Sequence, residues 1–145
     1  MIKIEKLTKE NIQDVSNVEK AYIETPWGYE GLLSEIGNED AVYVCIKKGG
    51  VFAGYGGMRA GTFDADITNI AVAEDFRKMG IGTLIVKELI KKAEEKNLEN
   101  VFLEVNINNI KAIRLYEKCG FTSEGIRKKY YNNKDDAIIM KYKIR

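Results

Sequence analysis

Two titratable side chains, Glu104 and Tyr116, occupy positions from which they could move protons. Glu104 interrupts the apolar run "VFLEV", where strand alternation places it on one face with Phe102 and Asn106. Tyr116 follows Asn109 by seven residues, about two turns, so both lie on nearly the same face of a predicted helix. A carboxylate that accepts a proton and a phenol that donates one suffice to transfer an acyl group from a thioester to an amine.

Both side chains also have a structural interpretation. Glu104 could be a solvated or lysine-paired charge on a strand. Tyr116 belongs to an apolar stripe at helical spacing with Ala112, Leu115 and Cys119, and that spacing alone favours a core aromatic. The choice between core and catalysis therefore remains open at this level.

Composition restricts the other chemistry that is available. The chain has no histidine, and its two cysteines, Cys45 and Cys119, lie in no metal-ligand spacing, so we expect no metal site. The 23 basic and 22 acidic residues nearly cancel, and we expect neither a nucleic-acid nor a membrane partner. The short basic run Arg127, Lys128 and Lys129 is interpreted as a solvated face.

Length and the amino-terminal segment indicate the type of protein. A chain of 145 residues fits one domain, and we predict a single domain over residues 1–145. The start "MIKIEKLTKENIQDV" alternates charged and apolar residues and does not resemble a secretory signal, and no later run is long enough to span a bilayer. We therefore expect a cytoplasmic protein with reduced thiols.

The stretch "RKMGIGTLIV" predicts an anion site where a helix begins. The first N–H groups of a helix lack backbone acceptors, and the glycines Gly80 and Gly82 would let a phosphate approach the backbone. The alternative is that these glycines only permit close packing of the helix on a sheet. A Walker loop is absent from the sequence, and Ile85 replaces the third glycine of a dinucleotide fingerprint.

The strands and helices that carry these residues are predicted from hydrophobic periodicity. Strands are predicted at "IKIEKL", on both sides of a Lys48-Gly49-Gly50 turn, and at "DITNIAV", "NVFLEV", "FTSEGIRKKYY" and "DAIIMKYK". Helices are predicted after Thr8 as N-cap, near "YEGLLSEI", from Gly80 to about Lys96, and from about Asn109 to Cys119. The predicted fold class is α/β (α+β), with a mixed, mostly antiparallel sheet of about seven strands and about four helices.

The motifs in this order resemble the GNAT superfamily of N-acetyltransferases. The string Arg77-x-x-Gly80-x-Gly82 is similar to the family's acyl-CoA pyrophosphate loop. Within the superfamily, "TPWGY", "TNIAV", "LEVNINNIKAIRLYEKCGF" and "IRKKYYNNKDDAIIM" resemble the RimI-like group, which includes the ribosomal-protein alanine N-acetyltransferases. The resemblance covers essentially the whole chain and implies a GNAT fold and acetyl-CoA as cosubstrate, without a metal.

The resemblance also implies roles for individual residues. It makes Glu104 the general base and Tyr116 the general acid for the CoA thiolate, with direct transfer in a ternary complex. It implies that acetyl-CoA is bound by Ile70, Ala71, Val72, Arg77, Lys78, Met79, Gly80, Ile81, Gly82, Thr83 and Asn109. Neither cysteine is expected to carry an acyl group.

The predicted acceptor is a protein or peptide amino terminus. In the group that the chain resembles, tyrosines at the positions of Tyr130 and Tyr131 wall the acceptor groove, and Trp27 and Tyr29 could form the opposite wall. The alternative for the tyrosine pair is ordinary strand aromatics. Asn106 and Asn108 stand where the group usually has Arg and Ser, which leaves the exact peptide undetermined. The sequence does not determine the oligomeric state either.

Two other functions stay open from the sequence. One is acetylation of a small amine, such as a polyamine or drug. The other is a non-catalytic acyl-CoA-binding module. The tyrosine pair favours a peptide over a small amine, and the pairing of Glu104 with Tyr116 favours catalysis over binding alone.

Overall fold

The computed structural model describes residues 1–23, 26–131 and 135–145, and for residues 129–131 it describes the backbone only. The strands are β1 (Ile2–Glu5), β2 (Ala41–Lys48), β3 (Val51–Ala60), β4 (Asp64–Val72), β5 (Asn100–Asn106), β6 (Thr122–Tyr131) and β7 (Asp135–Lys143). The helices are α1 (Ile12–Tyr22), α2 (Gly28–Glu35), α3 (Ile81–Glu95) and α4 (Ile110–Lys118), with a short 3-10 helix at Glu74–Phe76.

The strands form one seven-stranded sheet in the order β1-β2-β3-β4-β5-β7-β6. Every neighbouring pair is antiparallel except β4 and β5, which are parallel. The predicted fold class is confirmed, including the β2–β3 hairpin at Gly49 and Gly50. None of the helices in the described ranges has the length and apolar character needed to cross a bilayer.

Two hydrophobic clusters cover the two faces of the sheet. Alternating residues of β2 go to opposite sides, with Val44 and Ile46 in the cluster under α3, and Tyr43 and Cys45 in the cluster under α1 and α2. The α3 helix contributes residues at helical spacing that are almost fully buried, among them Ile85 and Leu89. The helices therefore sit on both faces of the sheet.

The first helix begins later than predicted. Thr8 is not its N-cap, because Asn11 holds that position and Ile12 is the first helical residue. The Thr8 N–H donates to Asn11 Oδ1 at 2.8 Å and the Asn11 N–H to Thr8 Oγ1 at 3.3 Å. These reciprocal bonds form a turn before the helix, and such short polar side chains compete with helix formation by binding nearby backbone.

The sheet opens between its two parallel strands. β4 and β5 pair only through Asp64–Asp66 and Asn100–Phe102 in the described part of the chain. On its other side, β4 contains a bulge, since Gly57 faces Asn69 while Met58 faces Ile67, which leaves Thr68 as the extra residue. Beyond Asp66 and Phe102, the described parts of β4 and β5 do not pair with each other. The facing edges of residues 67–72 and 103–106 are therefore open to a ligand.

Candidate active site

The gap between β4 and β5 is a cleft of about 280 Å³. Its walls are residues 67–70 of β4 and residues 103–106 of β5, with Asn109, Ala112 and Tyr116 on the α4 side. Tyr22 and Ile23, at the end of α1, complete the lining. Glu104 and Tyr116, which lie twelve positions apart in the sequence, therefore reach the same cleft from a strand and from a helix.

Glu104 lies on the face of β5 predicted from the sequence. The burial pattern of β5 alternates, with Val101, Leu103 and Val105 buried and Glu104 partly buried. Glu104 Oε1 lies 2.9 Å from the guanidinium of Arg127 on β6, and the Glu104 side chain is 24% exposed. Arg127 is exposed over half of its side chain, as expected for a solvated face, but its end pairs with a residue of the cleft.

Tyr116 both packs against the core and lines the cleft. Its ring packs edge-on against Phe121, with centroids 5.9 Å apart, and it adjoins the main core cluster. It also lines the cleft. A ring fixed by packing with part of its surface toward a cleft can present its hydroxyl at a defined place.

The two glycines of the predicted anion loop do different work. Gly80 precedes α3 with φ of +81°, and a Cβ added there would meet nothing within 4 Å. Gly82 instead allows close packing, because its Cβ would lie 3.2 Å from Leu115 of α4. Gly82 therefore fits the packing alternative, whereas the anion site at Gly80 stays a prediction.

The start of α3 offers backbone donors. The first intrahelical bond runs from the Leu84 N–H to the Gly80 carbonyl at 3.0 Å, and no described side chain caps the helix. The N–H groups of Ile81, Gly82 and Thr83 therefore precede that bond at the positive end of a 15-residue helix. The side chain of Ile81 is buried in the core, so only its backbone can contact a ligand. This arrangement fits a diphosphate.

The Arg77 side chain is held by contacts with Val72 and Tyr22. Its Nε donates to the Val72 carbonyl at 3.2 Å, and its guanidinium carbon lies 4.5 Å from the centroid of the Tyr22 ring. Lys78 adopts φ of 63°, a conformation uncommon for a residue with a side chain, and turns the chain toward Gly80. Met79 is exposed and its sulfur lies 3.6 Å from Lys48 Nζ.

The predicted β4 and α4 contacts divide between side chain and backbone. Ile70 lines the cleft, whereas the side chain of Ala71 is buried in the opposite cluster and leaves only its backbone for a ligand. Asn109 lines the cleft and also caps α4, since its Oδ1 accepts from the Ala112 N–H at 3.2 Å. Asn106, one of the departures from the group pattern, donates to Asp135 Oδ2 at 3.0 Å beside the cleft.

The predicted acceptor walls are only partly described. Trp27 and Tyr29 are exposed on the α2 side and are not among the described residues that line the cleft. Trp27 reaches the cleft indirectly: with the Asn69 amide in the orientation that satisfies both neighbours, Trp27 Nε1 donates to Asn69 Oδ1 at 3.3 Å. The side chains of Tyr130 and Tyr131 lie outside the described residues, so their role stays a prediction.

Sequence reasoning missed several residues of the cleft. Tyr22 ended the predicted first helix and Ile23 followed it, while Thr68 and Asn69 belonged to a predicted strand. The signal that could have found Asn69 is a polar pair inside an otherwise apolar strand, "DITNIAV". Tyr22 had no local signal, because its importance depends on what the fold brings beside it.

The strongest pKa shifts lie below α1 and α2, away from the cleft. Burial, followed by the Glu19 carboxylate and the groups of Tyr43 and Cys45, raises the pKa of Tyr55. Burial also raises the pKa of Cys45 to about 12. A thiol in this state is a poor nucleophile at neutral pH, which agrees with the expectation that Cys45 carries no acyl group. Among the described residues, no group of three or more Cys, Asp or Glu could hold a metal ion.

Comparison with known proteins adds independent information. The family model described as "Acetyltransferase (GNAT) family" matches residues 7–121. The chain is 32% identical over 118 residues to the ribosomal protein bS18-alanine N-acetyltransferase of Escherichia coli (strain K12), a match that covers 79% of each chain. It is 40% identical over 75 residues to an N-alpha-acetyltransferase of Sulfurisphaera tokodaii, which covers 51% of this chain and 45% of that one.

The structural comparison extends this likeness to the whole fold. The crystal structure of the ribosomal-protein-S18-alanine N-acetyltransferase from Escherichia coli matches with a TM-score of 0.89 and 28% sequence identity. The match covers 99% of this chain and 94% of that chain.

Proposed function

Because the chain belongs to the acetyltransferase (GNAT) family, we propose that it transfers the acetyl group of acetyl-CoA to the α-amino group of a protein amino terminus. One observation carries the proposal. Glu104 and Tyr116 reach a single cleft from two different elements, and the strand that forms the facing wall is followed, after residues 73–80, by the start of α3. A base, an acid and an anion site are thereby available along one path.

Acetyl-CoA, when bound, supplies an acetyl group activated as a thioester. In the proposal, the N–H groups at the start of α3, from Ile81 to Thr83, hold its diphosphate. The free half of β4, around Ile70 and Val72, binds the pantetheine arm through its backbone, and Asn109 contacts the same arm from α4. The acetyl group then lies between β4 and β5, where the strands separate.

Glu104 and Tyr116 divide the proton transfers. Glu104 accepts a proton from the terminal ammonium, directly or through a water, and frees the amine for attack on the acetyl carbonyl. Tyr116 donates its phenolic proton to the leaving sulfur. The amide bond forms as the thioester bond breaks, and the second proton that the nitrogen loses replaces the one given up by Tyr116. The reaction therefore needs no residue-bound acyl intermediate, and no cysteine takes part.

The choice of acceptor rests on chemistry and on the relatives. An α-amino group has an unperturbed pKa of about 7.7 to 8.0, compared with about 10.4 for lysine, so a single glutamate suffices to deprotonate it. The Escherichia coli relative acts on the alanine of ribosomal protein bS18. We extend this activity to a ribosomal amino-terminal alanine as the first acceptor to test. The proposal includes a cytoplasmic location, where Cys45 and Cys119 stay as free thiols.

The test offers acetyl-CoA with peptides that begin in Ala, Ser or Met, and with spermine, while thiol release and product mass are followed. We expect acetylation of the α-amino group of at least one peptide, with the Ala peptide preferred. An otherwise identical peptide with a blocked amino terminus is the matched control and should not react. Acetylation of spermine alone would contradict the proposed substrate class, and CoA binding without turnover on any amine would contradict catalysis.

A further inference from the structure

Tyr22 joins two parts of the molecule that the proposed reaction uses separately. It is the last residue of α1 and lines the cleft together with Ile23. Its hydroxyl accepts a hydrogen bond from the Glu74 N–H at 3.0 Å, in the loop that leads from β4 to α3. Its ring lies under the guanidinium of Arg77, 4.5 Å from centroid to Cζ. Tyr22 is therefore attached at two points, Glu74 and Arg77, to the segment between β4 and α3 (residues 73–80, the cofactor loop).

The contact with Tyr22 also restricts the position of the Arg77 side chain. The same guanidinium group donates through Nε to the Val72 carbonyl at 3.2 Å. A cation held between an aromatic face and a strand carbonyl has one preferred position, and that position is beside the cleft. Without the Tyr22 ring, Arg77 would lose one of these two attachments, and the loop that it belongs to would have more conformations to lose on binding acetyl-CoA.

The other end of the α1–α2 connection is attached to β4. With the Asn69 amide in the orientation that satisfies both of its neighbours, Trp27 Nε1 donates to Asn69 Oδ1 at 3.3 Å, and Asn69 lines the cleft. The Gly28 N–H, directly after Trp27, donates to Glu19 Oε1 at 2.9 Å, and Glu19 is fully buried. One side of the cleft is thus tied to the cofactor loop through Tyr22 and to β4 through Trp27.

We propose that Tyr22 is a positioning residue that couples the binding of acetyl-CoA to the binding of the acceptor. A ligand that orders the loop from Glu74 to Arg77 also orders the end of α1, and so prepares the wall that the acceptor contacts. Coupling of this kind is reciprocal, since each ligand must raise the affinity for the other by the same factor. The acceptor half of this inference rests on the proposed function, whereas the contact with the cofactor loop does not.

The experiment measures CoA binding by calorimetry, with and without an Ala-initiated acceptor peptide. CoA carries no acetyl group, so the ternary complex does not react. We expect the peptide to lower the CoA Kd of the wild type by about fivefold or more. Tyr22→Phe keeps the ring and loses the hydroxyl, and should raise the CoA Kd by about two- to tenfold. Tyr22→Ala loses both contacts and should bring the coupling factor to about one.

Controls separate positioning from folding. Tyr22 is 38% exposed, so its replacement should leave the thermal unfolding midpoint nearly unchanged. Phe63→Ala removes another exposed aromatic, in the β3–β4 turn, and should change neither the CoA Kd nor the coupling factor. A coupling factor in Tyr22→Ala equal to that of the wild type would overturn the inference, as would a wild-type CoA Kd that the peptide does not change.

Failure of the proposed function would give a different result. If the wild type acetylates no peptide, the proposed function fails. The CoA Kd measured without peptide still tests Tyr22: a rise in Tyr22→Ala supports its role at the cofactor loop, and an unchanged value contradicts it.

Discussion

The guanidinium of Arg127 lies 2.9 Å from the carboxylate of Glu104, although their strands are not neighbours in the sheet. β7 lies between these strands. Arg127 of β6 is paired with Ala137 of β7, and Glu104 of β5 is paired with Ile139 of β7, so the Arg127 side chain extends across β7. A charge-assisted contact of this length restricts the orientation of a carboxylate. Arg127 therefore positions the proposed base.

Replacement of Arg127 tests this role. Arg127→Ala should lower kcat/KM for the acceptor peptide by about three- to tenfold, because Glu104 loses a fixed orientation. Arg127→Lys keeps the charge and should recover part of the activity. Lys128→Ala is the matched control, since Lys128 is the next residue of β6 and pairs with Asp136 at 3.7 Å. Equal activity of Arg127→Ala and the wild type would contradict a positioning role.

Glu104→Gln tests the proposed base itself. The amide keeps the shape of the side chain but cannot take the proton, so kcat should fall by about 10²- to 10⁴-fold. The CoA Kd should change little. Glu124→Gln is the matched control and should retain wild-type turnover. It removes a carboxylate on β6 that pairs with Lys141 of the neighbouring strand β7 at 3.1 Å. Near-normal turnover in Glu104→Gln would remove Glu104 from the mechanism.

Tyr116→Phe separates acid catalysis from packing. The phenyl ring can keep its edge contact with Phe121, so the free energy of unfolding should change by less than about 1 kcal/mol. The kcat should fall by about 10²- to 10⁴-fold because the proton donor for the leaving sulfur is lost. Tyr142→Phe is the matched control, since Tyr142 contacts the same Phe121 ring at 5.7 Å. A fall in stability with unchanged kcat would leave Tyr116 with packing alone.

Tyr55→Phe tests the pH dependence of the buried cluster. Burial first, and then the Glu19 carboxylate, raises the pKa of Tyr55 above its ordinary value of 10.0. A raised pKa in the folded state means that stability is fully present below pH 10.0 and is lost as the pH rises above it. Between about pH 7.5 and about pH 10.5, Tyr55→Phe should lose about 0.8 kcal/mol less unfolding free energy than the wild type.

Urea unfolding at the two pH values measures this difference. At neutral pH the variant should be as stable as the wild type or more stable, because the Tyr55 hydroxyl is buried without a hydrogen-bond partner among the described residues. Tyr29→Phe removes an exposed hydroxyl and should keep the wild-type pH dependence. The same dependence in Tyr55→Phe and wild type would contradict the prediction.

Gly56→Ala tests the packing of α3 on the sheet. A Cβ at Gly56 would collide with Ile85 Cγ2 and lie 3.0 Å from Leu89 Cδ1, and both side chains are fully buried. The free energy of unfolding should fall by about 1 to 3 kcal/mol. Gly125→Ala, where a Cβ would meet nothing within 4 Å, should leave it unchanged within about 1 kcal/mol. Equal urea midpoints for the two variants would show that α3 moves to accommodate the methyl group.

Local periodicity was enough to predict most strands and helices and the faces that they bury. Strict alternation assigned Glu104 to the partly buried face of β5, and helical spacing assigned Ile85 and Leu89 to the core face of α3. These features depend on local periodicity, which a chain carries along its own length. The predicted start of α1 was wrong, because Thr8 and Asn11 form hydrogen bonds with each other before the helix begins.

Which side chains contact one another depends on the folded arrangement of the strands and helices. The separation of β4 from β5, the reach of Arg127 across β7 and the position of Tyr22 under Arg77 all join residues that are distant in the sequence. Local spacing cannot encode such meetings, because they depend on strand order and on where neighbouring strands stop pairing. The fold brings the predicted base, Glu104, and the predicted acid, Tyr116, to one cleft. It also places Arg127 and Phe121 in contact with them.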